Sequence, residues 1–270
     1  MIVLGFDTST PATAVAVRLS DGRTVQARDD PPAGAHPGHA TRLLDMAHEL
    51  LASVGIAWGA VERVAVGVGP GTFTGLRVGV ATARGLAQSL SVELVGISSP
   101  RALAAGALTA QDHEDPATGA GHTQAWSARA GDAQDAPAAM LAVIDARRGE
   151  VFAAAYERGE HDVPHELAAP RALAPQELAG VLAQARQASG GAPHRWLAVG
   201  DGALRFRVHV QALGLAMPPD SSELQLVSAA AVCQLGACAA AASLREVVPD
   251  YRRRPDAELA LEVAGTGRAT

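Results

Sequence analysis

GPGTFTGLR, Gly69 to Arg77, follows directly on the apolar run Arg63-Val64-Ala65-Val66-Gly67-Val68, and its reading decides the fold. A β-branched run reads as a buried strand, and Gly-Pro-Gly reverses the chain. Thr72 or Thr74 is placed to cap the helix predicted over 74–90, because a threonine hydroxyl satisfies an orphan amide of a first turn. That helix carries Gly75, Gly79, Ala83 and Gly85. An interior glycine costs about 1 kcal/mol against alanine, so close backbone approach by another element is expected to recover the loss. Gly75, Gly79 and Ala83 stand one helical turn apart and share a face.

A P-loop would need a lysine after its glycines. This chain has none: all 22 basic residues are arginine, which removes P-loop NTPases, protein kinases and Schiff-base chemistry together. The strand–glycine–helix arrangement still offers amides to an anion; the plainer alternative is a structural turn with a packing helix.

The 270 residues suit one large or two modest domains, and a 48% hydrophobic share that is only 3% aromatic implies an aliphatic core. A net charge of −6 argues against a free-standing nucleic-acid binder, so any such role runs through a partner. The start lacks the basic region of a signal peptide, and the stretch 226–244 is too rich in alanine and polar residues for a membrane span. A cytoplasmic protein with no membrane association is expected. Cys233 and Cys238 match no metal spacing and read as small core residues.

Strands are predicted at 2–7, 14–19 and 24–28, a helix at 38–54, then the strand at 63–68, the glycine-rich helix, a strand at 92–97 and a turn at 98–100. Residues 108–137 lose periodicity and read as a linker or disordered insertion. Strands resume at 140–145 and 151–156, so strand–Asp–turn–strand occurs twice and suggests a duplicated domain. Trp196 to Val199 precedes the turn Gly200-Asp201-Gly202, and a long alanine-rich helix is expected at 221–244. The expected division is a first domain over 1–107, the insertion, a second over 138–220, and a last helix and tail over 221–270 that pack back on the first.

A strand ending in Asp7-Thr8-Ser9-Thr10, a second ending in Asp145-Ala146-Arg147-Arg148-Gly149-Glu150, and the turn at 200–202 together resemble the duplicated actin-like ATPase fold, an α/β class with two domains of mixed sheet flanked by helices. Within it, GPGTFTGLR closely resembles the hallmark of the TsaB (YeaZ) family of bacterial tRNA-modification proteins. Arg42-Leu43-Leu44, the 145–152 stretch and Pro249-Asp250-Tyr251-Arg252-Arg253 match in order. The resemblance implies a non-catalytic partner of a TsaD-type subunit, which transfers a threonylcarbamoyl group to the adenosine beside the tRNA anticodon. A TsaE-type ATPase would join them, tRNA would be met only through the complex, and the chain alone would form a homodimer.

Under that resemblance Asp7, Thr8, Ser9, Thr10, Asp145, Arg147, Gly200, Asp201 and Gly202 form a degenerate nucleotide site, crowded by Arg147 and Arg148, with no catalytic residue and no cofactor. The alternative for the aspartates is turn capping, Asp7 accepting from the amides of residues 8–10. The partner face is expected on two helices, through Leu43, Leu44, Ala47 and Leu51 of the first and Gly75, Gly79, Thr82, Ala83 and Leu86 of the second. His36 and His39 are separated by Pro37-Gly38, which makes a loop rather than a helical metal pair, and no metal is expected. The basic residues 252–254 read as a solvated terminus. An ATP-hydrolysing actin-like enzyme and a metal-dependent peptidase-like protein are the alternatives.

Overall fold

The computed structural model describes residues 1–32, 34–109, 139–160, 163–190 and 195–253. The expected insertion lies outside the described residues beyond 109, as does Arg254.

One mixed sheet contains β1 (Val3–Asp7), β2 (Thr13–Arg18), β3 (Thr24–Asp29), β4 (Arg63–Gly69) and β5 (Glu93–Ser98) in the order β3-β2-β1-β4-β5. The other contains β6 (Ala139–Arg147), β7 (Glu150–Arg158), β8 (Pro164–Leu173) and β9 (Trp196–Val199) in the order β8-β7-β6-β9. The anticipated repeat extends further than two strands. β1 pairs antiparallel with β2 and parallel with β4, and β6 pairs the same way with β7 and β9.

The helices are α1 (His39–Ser53), α2 (Phe73–Leu90), α3 (Ser99–Thr109), α4 (Leu178–Ala188), α5 (Asp201–Arg205), α6 (Arg207–Ala212) and α7 (Ala229–Cys238). They make five layers with the sheets. α1 and α2 cover the outer face of the first sheet through Leu43, Leu51 and Val80 against Leu4, Phe6 and Val66. α3 and α7 fill the space between the sheets, where Leu103 and Val232 meet Val3 and Ala65 on one side and Met140 and Ile144 on the other. α4, α5 and α6 cover the far face of the second sheet, Val181 and Val210 packing with Val143 and Ala153. Both faces of β1 are therefore dry, which is why Val3 to Asp7 is buried without alternation.

Several expectations are corrected. The stretch 98–100 is not a free turn: Ser98 ends β5 and Ser99-Pro100 begin α3, since Pro100 in a first turn forfeits no intrahelical bond. α3 continues through Leu108, fully buried, into the stretch read as insertion. β8 and α4 went unread: β8 contains Pro164 and Pro170, tolerated because it is an edge strand, and its pairing is irregular. The long helix at 221–244 shrinks to α7. Ser228 caps its start by accepting from the Ala231 amide at 3.2 Å. Its last carbonyls, Gly236 and Ala237, and that of Ala239 beyond them accept from the Arg63 guanidinium, and the chain then turns extended so that the Ala242 amide donates to Leu94 at 3.0 Å. Cys233 is buried as expected, but Cys238 is exposed.

Candidate functional site

The loop after β1 is built inward. Asp7 is 1% exposed; its Oδ1 accepts from the Ser9 amide (2.8 Å) and hydroxyl (2.6 Å), and its Oδ2 from the Ser99 hydroxyl (2.6 Å). Gly67 makes room for it, since a Cβ there would overlap Oδ2. Thr8, Ser9 and Thr10 are also buried. Thr8 donates its hydroxyl hydrogen to the Gly75 carbonyl at 2.7 Å, and the Thr72 amide donates to the Ser9 carbonyl at 2.7 Å. α2 thus lies directly on the loop. Thr72 is the N-cap residue, yet its side chain makes no capping bond, contrary to the expectation.

Asp145 repeats the pattern at the end of β6. Its Oδ1 accepts from the Arg147 amide at 2.9 Å and its Oδ2 from Arg205 at 2.7 Å. The Asp145 amide in turn donates to Asp201 Oδ1 at 2.9 Å. Burial pushes the Asp201 carboxyl above the usual 3.8. Gly200 has φ +117°, and a side chain there would run into the Val143 carbonyl; Gly202 packs as closely on Ile144. The Gly200 amide donates to Gln225 at 2.8 Å. The third turn is therefore a packing joint between α5 and β6, with its glycines spent on the backbone of β6.

A cleft of 690 Å³ opens between the halves. The starts of α1 and α2 form one wall and the tip of the β6–β7 hairpin another, with Tyr251 and Arg252 beside them. Asp250, Tyr251 and Arg253, at the start of the stretch expected as a solvated terminus, are docked here. The Asp250 amide donates to the Val68 carbonyl (2.8 Å), the Tyr251 hydroxyl accepts from Arg77 Nε (2.9 Å), and Arg253 donates to the Ala146 carbonyl (2.5 Å). Phe73 and Tyr251 lie with ring centroids 5.1 Å apart, and the Arg77 guanidinium sits 3.8 Å over Phe73. Phe73 and Arg77 stand inside GPGTFTGLR, but nothing in their spacing announces a partner 174 residues away.

His39, considered in the sequence only as half of a metal pair, has a structural place. It is the first residue of α1 rather than part of a loop, and it is buried at 3% exposure. Its Nδ1 lies 2.9 Å from the Thr13 hydroxyl. Burial holds its pKa below 6.5, although the Asp7 and Asp29 carboxylates pull the other way. Among the described residues no group of three His, Cys, Asp or Glu could hold a metal ion.

The expected partner face is redistributed. Gly75, Gly79 and Ala83 do share a face, but it is buried: a Cβ at Gly75 would strike the Thr8 carbonyl and one at Gly79 the Thr8 hydroxyl. The close approach that the glycines implied is to the chain's own loop. Leu43, Ala47 and Leu51 likewise lie in the core. Leu44 remains 48% exposed, and Thr82 and Leu86 are half-buried beside exposed Ala81 and Gly85. No described helix is long and apolar enough to cross a membrane.

A family model for TsaD, tRNA N6-adenosine threonylcarbamoyltransferase, matches residues 31–136. The tRNA threonylcarbamoyladenosine biosynthesis protein TsaB of Escherichia coli (strain K12) is 31% identical over 202 residues, 75% of this chain and 72% of that protein. The protein of the same name from Bacillus subtilis (strain 168) is 29% identical over 157 residues, 58% of this chain and 56% of that one. Among solved structures, YeaZ from Pseudomonas aeruginosa superposes with a TM-score of 0.68 at 25% identity, over 93% of this chain and 99% of that chain. The two mixed sheets flanked by helices are the duplicated actin-like architecture. With GPGTFTGLR seated on its own DTST loop and 31% identity across most of both chains, this chain belongs to the TsaB (YeaZ) family.

Proposed function

We propose that this chain is a non-catalytic subunit in the formation of threonylcarbamoyladenosine in tRNA, working beside a TsaD-type catalytic subunit and a TsaE-type ATPase. The reading rests on Asp7. An actin-like ATPase needs that strand-end carboxylate and its loop open to nucleotide and metal, whereas here both carboxylate oxygens are taken by Ser9 and Ser99 and α2 covers the loop. The outer face of α1 and α2, with Leu44, Ala81, Gly85 and Leu86, then serves the partner, and pairs with a second copy when the partner is absent. The net charge of −6 leaves tRNA contact to the complex.

The test is co-purification with a TsaD-type subunit. Gly85→Arg introduces a long side chain where nothing of the monomer lies within 4 Å, so the variant folds but loses the complex. An undiminished complex with folded Gly85→Arg and Leu44→Arg proteins places the interface elsewhere. ATP hydrolysis by the chain alone, abolished by Asp7→Ala, overturns the non-catalytic assignment.

A further inference from the structure

The outer face of α1 and α2 continues onto a segment far away in sequence. We propose that the segment 248–253, with Arg77 beneath it, forms a second part of the docking surface for the TsaD-type subunit, and that the partner brings to it an apolar side chain and a carboxylate. This rests on the role beside a TsaD-type subunit and extends it beyond the helix pair.

Among the described residues four large apolar side chains are left exposed: Leu44, Val208, Val248 and Tyr251. Val208 lies on α6, at the far face of the second sheet. The other three gather near the starts of α1 and α2. Leu44 stands one turn beyond Ala40, and Ala40, Phe73 and Tyr251 line the same cleft. Val248 precedes Tyr251 by three residues. A single exposed apolar side chain needs no explanation, but a group of them beside an unpartnered helix pair marks an interface. Nor is Val248 a loose end. Val247 next to it is buried in the core of the first half, and the Asp250 amide beyond it is bonded to the Val68 carbonyl. A backbone tethered on both sides thus holds an apolar side chain in water. The aromatic pair beside it is equally out of place: a chain only 3% aromatic sets one of its two tyrosines against Phe73 at the surface instead of in the core.

Arg77 sets the chemistry of what covers this surface. It is exposed, its guanidinium lies 3.8 Å over Phe73 and 5.9 Å from the Tyr251 centroid, and its Nε donates to the Tyr251 hydroxyl. Those contacts fix the side chain without supplying negative charge. Among the described residues no carboxylate pairs with Arg77, and its two terminal nitrogens have no acceptor. The arginines of the segment differ, since Arg252 is paired with Asp250 at 2.6 Å and Arg253 with Glu150 at 3.6 Å. A guanidinium covered by a partner without a counter-charge is costly, whereas one already held in place is ready to take a carboxylate through two parallel bonds. Tyrosine and arginine in such settings carry much of the energy of protein interfaces when apolar neighbours keep water from them. The net charge of −6 disfavours RNA as the occupant.

Calorimetric titration with a TsaD-type subunit tests the assignment. Arg77→Gln keeps a polar side chain and removes the charge. It is expected to weaken the complex at least about tenfold and to flatten the salt dependence of its Kd, because one screened charge pair is gone. Val248→Asp changes a side chain that is 52% exposed, and is expected to weaken the complex severalfold with an unchanged melting curve. It keeps the test decisive if Arg77→Gln releases the segment. Native affinity in both folded variants, or a salt dependence unchanged by Arg77→Gln, overturns the proposal. So does a loss confined to self-association of the chain, which assigns the surface to a second copy, or an intact complex that retains less tRNA, which assigns it to RNA. If Gly85→Arg and Leu44→Arg abolish the complex while the Arg77 and Val248 variants keep it, the extension alone fails and the helix pair stands. If the native chain does not bind a TsaD-type subunit, the subunit role itself fails.

Discussion

Thr8 and Gly75 meet across 67 residues of sequence, the threonine hydroxyl donating to the glycine carbonyl at 2.7 Å. The bond joins the loop after β1 to the first turn of α2, and it is possible only because residues 75 and 79 have no side chain. Strand-end loop, glycine-rich helix and buried aspartate are thus one packed unit.

Two glycines of the same helix should consequently respond in opposite senses to alanine. A Cβ at Gly79 overlaps the Thr8 hydroxyl, so Gly79→Ala is expected to destabilise by about 1–3 kcal/mol, as overpacking does. Gly85 has open space around it, and Gly85→Ala should stabilise by up to about 1 kcal/mol through helix propensity alone. Urea unfolding at constant m-value measures both. Two shifts of the same sign would mean that α2 does not sit on the loop as described.

A pH dependence follows from His39. Burial keeps its folded pKa below the 6.5 of the free side chain, so the unfolded chain binds the proton more readily. The stability it contributes is complete above pH 6.5 and is lost as pH falls through that value toward the folded pKa. His39→Asn keeps a polar partner for Thr13 and removes the titration. Unfolding free energies measured on either side of pH 6.5 should fall less on acidification in the variant than in the native sequence. Equal slopes would show that His39 is protonated as easily in the folded state as in the unfolded one.

Much of this was legible because local signals carried it. The runs at 63–68 and 140–145 became β4 and β6, and those at 14–19 and 24–28 became β2 and β3. The strand–Asp–strand repeat marked two equivalent halves. The failures share a cause: they depended on partners distant in sequence. Glycines 75 and 79 look the same whether they await another protein or Thr8. Alanines 239–242 have helix propensity, but the Leu94 carbonyl and the Arg63 guanidinium decide where α7 stops. Tyr251 reads as part of a charged tail until Arg77 and Phe73 are brought beside it.

That docking makes the last prediction. Tyr251 stacks on Phe73, accepts from Arg77, and is followed by Arg253, which reaches the Ala146 carbonyl across the cleft. The segment therefore ties α2 to the β6–β7 hairpin. An aromatic pair contributes about 0.5–1.5 kcal/mol beyond its burial, and a net hydrogen bond about as much. Because Tyr251 is 43% exposed, values toward the lower end apply to both. Tyr251→Ala removes both contacts and should detach the segment locally, with trypsin cutting after Arg252 and Arg253 several times faster. Tyr251→Phe keeps the ring contact and loses only the hydrogen bond, so its cleavage rate should fall between the two. Cleavage as fast in the native sequence as in Tyr251→Ala would show that the segment is not held to α2 in solution. A phenylalanine variant cut as fast as the alanine one would assign the hold to the Arg77–hydroxyl bond rather than to the rings.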